Sequence, residues 1–223
     1  MRHRCADRVA RVRIPIAVFA ILALTRCGTA GEHGAVAHPA QAEAARPDLG
    51  QEIRASFRPS GQAGLDRLQQ NGMQALCSRE RPQDMAPEVW HALQAEAIAA
   101  VRYPEDGRFL GDWQRGEAIA QSGTGWQYSD APDASRGGSC YGCHRLSGTE
   151  IAYGTIGPSL YRYLEHNGSS PEALQRAWAR IWNPHAFSAC SVMPRFGDAG
   201  ILTSDQIRDV MALLFDPQSP VNR

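Results

Sequence analysis

Residues 140 to 144, Cys140-Tyr141-Gly142-Cys143-His144, put two thiols and an imidazole within one short turn. Three chemistries use such a set: a zinc site, a redox-active dithiol and covalent haem attachment. A structural zinc site needs two further ligands, and the sequence has no second C-x-x-C and no H-x-x-x-H. A thioredoxin-like dithiol belongs beside a βαβ pattern, which is not visible. A histidine directly after the second cysteine is the signature of c-type haem attachment. On that reading Cys140 and Cys143 add to the two vinyl groups, and His144 lies beneath the iron. One covalent haem c is the expected cofactor.

A second axial ligand is then needed. Met73 and Met85 precede the haem motif by a long stretch, and Met211 falls on the apolar face of the terminal helix. Met193, in "CSVMPRFG", stands in a loop-like stretch with proline directly after it, which restricts the local backbone. It is the expected distal ligand, with His185 as its rival. A thioether on the iron favours Fe(II) and raises the potential relative to two imidazoles. A peroxidase- or sensor-like site with an open sixth position is a further alternative, which a firm Met193 ligand removes.

The elements that must position these groups read as helices joined by long loops. "GLDRLQQNGMQALC" (64–77) carries Leu65, Leu68, Met73 and Leu76 near one helical face, weakened by Gly72. A second helix starts at Pro87, carries Trp90, Leu93, Ile98 and Val101, and stops before Pro104. "DWQRGEAIAQ" (112–121) is a third. "ALQRAWARIW" (173–182) spaces Leu174, Trp178 and Trp182 for one face, which core packing explains better than a partner surface. In "LTSDQIRDVMALLF", Thr203 and Gln206 fit a capping box, and Ile207, Val210, Met211 and Leu214 form a buried stripe. Alternating strand-like runs are nearly absent, so the chain is expected to be all-α.

The N-terminus reads as an export signal. Met1 to Arg13 is basic, Ile14 to Leu24 is apolar but too short for a span of ~20 residues, and small residues at 28–30 suit cleavage. Lipid attachment at Cys27 is disfavoured because Arg26 stands where a small residue is wanted. The expected layout is a signal peptide at 1–30, a linker at 31–50, an N-terminal helical extension at 51–106 and a haem domain at 107–223. The expected location is the periplasm, without stable membrane insertion.

The formal charge is zero, yet the first 30 residues hold six arginines and one acid, leaving 17 basic against 22 acidic residues in the body. The chain has no lysine. A mildly acidic body argues against nucleic acid as a partner. In an oxidising compartment the even remainder, Cys77 and Cys190, suggests a disulfide, with two buried free thiols as the alternative.

The C-terminal part resembles SoxX, the monohaem cytochrome subunit of the thiosulfate-oxidising SoxXA complex. The resemblance runs through "YPEDGRFLGDWQRGEAIAQ", "GGSCYGCHRL", "YGTIGPSLYRY", "CSVMPRFG" and "LTSDQIRDVMALLFDPQSPVN", over roughly residues 70–223. It implies a class I cytochrome c fold in which the first and last helices cross and the helices wrap the haem. It also implies that the Pro158 carbonyl accepts a hydrogen bond from the proximal histidine, His144, although a plain Gly-Pro turn explains that stretch too. In such a complex a SoxA-like subunit holds a second haem and the reactive cysteine. Thiosulfate is joined oxidatively to a cysteine of the SoxY carrier protein, the activity of an L-cysteine S-thiosulfotransferase. This chain would take electrons from the SoxA site and pass them to a soluble cytochrome c, with no catalytic residue of its own. One haem stores one electron while S–S formation releases two, so a single-haem chain must relay. Residues 31–106 exceed what a small shuttle needs and suit docking. The alternative is a stand-alone periplasmic electron carrier. Arg145 and Arg195 are candidates for propionate or partner contacts, or for plain solvent exposure.

Overall fold

Thr203 and Gln206 start the helix around which the chain is built. The Thr203 hydroxyl accepts from the Gln206 amide at 3.2 Å, and the Gln206 side chain accepts from the Thr203 amide at 3.0 Å. This is the capping box expected from the sequence, and it satisfies two donors that a helix start leaves open. The helix, Ser204–Phe215, buries Ile207, Val210, Met211, Leu213, Leu214 and Phe215. Burying each such side chain contributes about 1.5–3 kcal/mol.

The structure, a computed structural model, describes residues 48–223, so the signal peptide and most of the linker lie outside the described residues. Those residues form one compact unit. It contains α1 (Leu49–Ser56), α2 (Gly72–Arg79), α3 (Pro87–Ala99), α4 (Trp113–Gln121), α5 (Tyr163–Asn167), α6 (Pro171–Trp182) and α7 (Ser204–Phe215), with short 3₁₀ turns between them. No strand is present among the described residues, apart from one isolated bridge between Ser60 and Ala63. The described residues are all-helical, as the patterning predicts.

Helices α4 and α7 pack at close range because glycine stands where they meet. A Cβ at Gly116 would lie 2.1 Å from the Asp209 carbonyl oxygen, and one at Gly111 would lie 2.2 Å from an Asp209 carboxylate oxygen. The Asp112 side chain starts α4 by accepting from the Gln114 and Arg115 amides. Asp209, only 6% exposed, ties the crossing together: it accepts from the Asp112 amide and from two nitrogens of Arg115, each at 2.8 Å. Helix α6 begins at a Ser170 cap with Pro171 in its first turn, and it places Trp178 and Trp182 in the same core. Core packing is thus the role of both tryptophans.

The N-terminal part departs from the expected pattern in its details. The run 64–77 does not form one helix. It splits into a 3₁₀ turn at Leu65–Leu68 and α2, because Asn71 and Gln74 make a second capping box that starts a new helix at Gly72. A polar side chain that satisfies the backbone locally outcompetes continuation of the preceding turn. Helix α3 ends at Ala99, well before Pro104, and turns Ala97 rather than Ile98 inward; Ile98 is 48% exposed. Helix α1 begins inside the stretch whose composition reads as linker. Met73 and Ala97 then pack against Ala186 and Ala189 in a small second core, with Trp90 and Leu93 around it. The extension is therefore folded onto the segment between α6 and α7.

Candidate functional site

The C-x-x-C-H turn hangs from the end of α4. Gly138 and Ser139 donate their amides to the carbonyls of Ile119 and Ser122, both at 2.8 Å. Ser139 takes a left-handed backbone, with φ of 46°, and redirects the chain into a 3₁₀ turn over Cys140–Gly142. Within that turn the His144 amide bonds to the Cys140 carbonyl at 2.9 Å. Cys140 and Cys143 are free thiols, both half-buried. Burial pushes the Cys140 thiol up to about 11, so it is a neutral thiol in an apolar setting and a poor thiolate donor. Among the described residues no group of three or more Cys, His, Asp or Glu converges as a metal site.

Residues 154–160 run beside this turn, joined to it by three backbone hydrogen bonds. Gly154 donates to Tyr141, Gly157 to Cys143 and Leu160 to Arg145, at 2.8–2.9 Å. That register sets the Pro158 carbonyl under the histidine ring: His144 Nδ1–H donates to it at 2.6 Å. Proline fixes its own backbone and so aims the acceptor. In the neutral ring this bond fixes the proton on Nδ1 and leaves the Nε2 lone pair free, the form in which histidine binds metals. Nε2 has no hydrogen-bond partner among the described residues. His144 is 9% exposed, and Gly157 leaves its ring the space it occupies.

Met193 reaches the same core from a loop later in the chain. Met193 and Cys140 are both partly buried against one hydrophobic cluster that includes Ile119, Leu146, Trp182 and Phe196. Phe196 anchors the loop: a Cβ at Gly138 would lie 3.6 Å from its ring and 3.2 Å from the Cys140 sulfur. The Gly197 and Asp198 amides bond to the Trp182 carbonyl, and Gly197 sits so close to the Trp182 ring that a Cβ would come within 2.3 Å. The Met193 amide donates to the Ser191 hydroxyl at 3.2 Å. Trp182 Nε1 is buried and has no partner among the described residues. A buried N–H left so is costly, and it is a donor waiting for an acceptor.

His185, the rival of Met193, is placed differently. It lies in the 3₁₀ turn Pro184–Ala186, is 6% exposed, and donates from Nε2 to the Ser191 carbonyl at 3.2 Å. Burial holds its pKa below the ordinary histidine value, so it is neutral near pH 7. Its ring is spent on holding the Met193 loop, a role that sequence spacing did not signal. Arg195 pairs with Asp198, and Arg145 lies near the rings of Tyr153 and Tyr161 while its guanidinium donates to the Ser147 and Gly148 carbonyls. Both arginines serve local structure.

Cys77 and Cys190 form a disulfide, with their α-carbons 5.6 Å apart, linking residues 113 apart in sequence. It joins α2 to the loop three residues before Met193. Apolar side chains stand exposed in the two loops that carry site residues: Ile151, Tyr153 and Ile156 ahead of Pro158, and Val192 beside Met193.

Fold and site together define a small all-helical protein built around an apolar cluster, at whose edge sit two free thiols and a histidine with one nitrogen free. No protein-family model matches the sequence. The chain is 39% identical over 157 residues to an uncharacterized lipoprotein of Aquifex aeolicus (strain VF5), an alignment covering 69% of this chain and 73% of that relative. The chain belongs to the family of that lipoprotein.

Proposed function

We propose that this chain is an exported monohaem c-type cytochrome of class I fold, resembling SoxX, acting as the electron-transfer subunit of a thiosulfate-oxidising complex. The observation that carries the haem reading is the hydrogen bond of His144 Nδ1 to Pro158 within a C-x-x-C-H turn. The residues present fit a flat apolar group bearing a metal and acidic substituents. Cys140 and Cys143 are free to form thioether bonds, and His144 Nε2 is free to bind the metal. Trp182 Nε1 supplies a buried donor without a protein acceptor. The exposed Ile151, Ile156 and Val192 are apolar surface that a porphyrin would help cover.

Bound there, a haem c supplies a one-electron Fe(III)/Fe(II) couple. The chain's own part is to hold it. Pro158 orients His144 and raises its basicity, and Met193, on a loop pinned by Ser191 and Phe196, would supply a thioether to the iron. With Cys140 and Cys143 committed to the haem and Cys77 and Cys190 to the disulfide, none of the described cysteines would remain for sulfur chemistry, so this reading assigns the reactive cysteine to a SoxA-like partner and the acceptor thiol to a SoxY-like carrier. A soluble cytochrome c would take the electrons onward.

The packing of α2 and α3 onto this chain's own 186–189 segment favours a second reading, a stand-alone periplasmic carrier, since the extension is then not spare docking material. For location, the relative's description as a lipoprotein supports export and adds a second route, attachment through Cys27 in place of cleavage near Ala30. No described helix is long and apolar enough to cross a membrane.

Expression with a periplasmic haem-attachment system tests the first step: intact mass must show one covalent porphyrin, and the oxidised protein a far-red methionine-to-Fe(III) band. A colourless product sinks the reading, and the N-terminal mass decides between the two routes of export. Mixing the chain with a SoxA-like partner, thiosulfate and carrier protein tests the second step. Haem reduction that requires all components supports the complex, and failure to form a stable heterodimer favours the free carrier.

A further inference from the structure

The stretch between Cys190 and Arg195 contains no fully buried residue, although Ala189 before it and Phe196 after it are both buried. Val192 is 81% exposed. Its hydrogen bonds are short-range: Ser191 N to Ser188 O, Met193 N to the Ser191 hydroxyl, and His185 Nε2 to Ser191 O. One covalent tie connects it to a distant element, the Cys77–Cys190 bridge to α2. That bridge is reachable. Both cysteines line a surface cleft of about 420 Å³, together with Arg67, Gln74, Ser78 and His185.

We propose that α2 and the Cys77–Cys190 bridge are a redox-released clamp on the Met193 loop. While the bridge is intact, the loop keeps one arrangement. A dithiol entering the cleft opens it: a thiolate attacks one of the two sulfurs, the S–S bond breaks and a mixed disulfide forms. The second thiol of the reductant then displaces the remaining protein sulfur. Cys77 and Cys190 end as two thiols, having gained two electrons and two protons, and the reductant ends as a disulfide. The loop then keeps only its local hydrogen bonds and the packing of Met193 and Phe196 on the main core, and samples more conformations. The consequence for an iron ligand rests on the haem reading above; the clamp itself does not.

The test uses the full-length oxidised protein. It is treated with dithiothreitol, its new thiols are capped with iodoacetamide, and any iron is reoxidised with ferricyanide. Hydrogen exchange is then compared over 186–196, α4 and α7. The clamp predicts that exchange over 186–196 rises roughly ten-fold or more, while α4 and α7 stay unchanged. The double variant Cys77→Ser/Cys190→Ser is expected to show the same rise without reductant. Unchanged exchange over 186–196, or an equal rise throughout α4 and α7, overturns the clamp. The far-red band, read on the same samples, separates the two ideas. Faster exchange with a weakened band supports both. Faster exchange with an unchanged band keeps the clamp and removes its link to Met193. Absence of covalent haem overturns the haem reading alone, since exchange still decides the clamp.

Discussion

Gly157 leaves no room between its backbone and the imidazole of His144: a Cβ there would stand 2.2 Å from Cε1 and 2.5 Å from Nδ1. The same glycine donates its amide to the Cys143 carbonyl at 2.8 Å, so it cannot retreat without breaking the register that brings Pro158 to His144. Gly157→Ala must displace the ring, and with it the 2.6 Å bond to the Pro158 carbonyl. Overpacking of this kind costs about 1–3 kcal/mol. A lower melting temperature and a lower yield of covalent haem are expected. Gly72→Ala is the control: it meets nothing within 4 Å and sits in the first turn of α2, so it should be neutral or stabilising by up to ~1 kcal/mol. Thermal unfolding of both variants checks the pair.

Gly116→Ala tests the crossing of α4 and α7. The added Cβ would meet the Asp209 carbonyl carbon at 2.6 Å as well as its oxygen, and Leu213 Cβ at 3.1 Å. The two Asp209 atoms are backbone of a buried helix, which cannot yield as a side-chain tip can. The two helices must separate, and α4 also carries the C-x-x-C-H turn at its end. Destabilisation of about 1–3 kcal/mol is expected, with the haem yield falling in parallel. Unchanged unfolding would show that the crossing is looser than the geometry implies.

The sequence made some of this legible for identifiable reasons. Local signals with a single physical meaning carried through: Thr203 and Gln206 as a capping box, the even pair Cys77 and Cys190 as a bridge, and the absence of alternation as an all-helical chain. Attention to the Pro158 carbonyl, which lies 2.6 Å from His144 Nδ1, comes from resemblance rather than from periodicity. What failed was periodicity near competing polar side chains. Leu65 and Leu68 lie in register with Met73 and Leu76, but Asn71 restarts the helix, and Leu65 ends 42% exposed. The tight glycines could not be read at all, because Gly116, Gly157 and Gly197 gain meaning only from what lies opposite them in space. His185 is visible in the sequence as a histidine near Met193, but its hydrogen bond to the Ser191 carbonyl is not, because that partner is set by the fold of the loop.

Asp209 should be the most sensitive polar residue outside the haem motif. Its carboxylate is buried and accepts from the Asp112 amide and from Arg115, whose own side chain is 66% exposed. Asp209→Ala removes every acceptor at once, leaving the Asp112 amide without a partner and Arg115 with only its longer pairing to the Asp112 carboxylate, at 3.7 Å. A loss of about 2–4 kcal/mol is expected. Arg115→Ala should cost less, because the Asp112 amide still supports the carboxylate. Denaturant midpoints of the two variants give the order, and a larger effect for Arg115→Ala would contradict the geometry.

Acid should weaken the protein partly through His185. Burial lowers its pKa below the ordinary histidine value; the Ser191 carbonyl opposes that shift, the Arg195 charge adds to it, and Asp198 opposes it. The folded protein therefore binds a proton less readily than the unfolded chain. Between the depressed folded value and the unfolded value of about 6.5, the unfolded state carries more protons, and stability rises with pH. The contribution is fully present above about pH 6.5 and is lost as pH falls through the lower, folded value. His185→Gln keeps a side-chain N–H for the Ser191 carbonyl and removes the titration. Its denaturant midpoint should change less than that of the wild type between about pH 7.5 and pH 5. Identical slopes for the two proteins would assign the acid sensitivity to other groups.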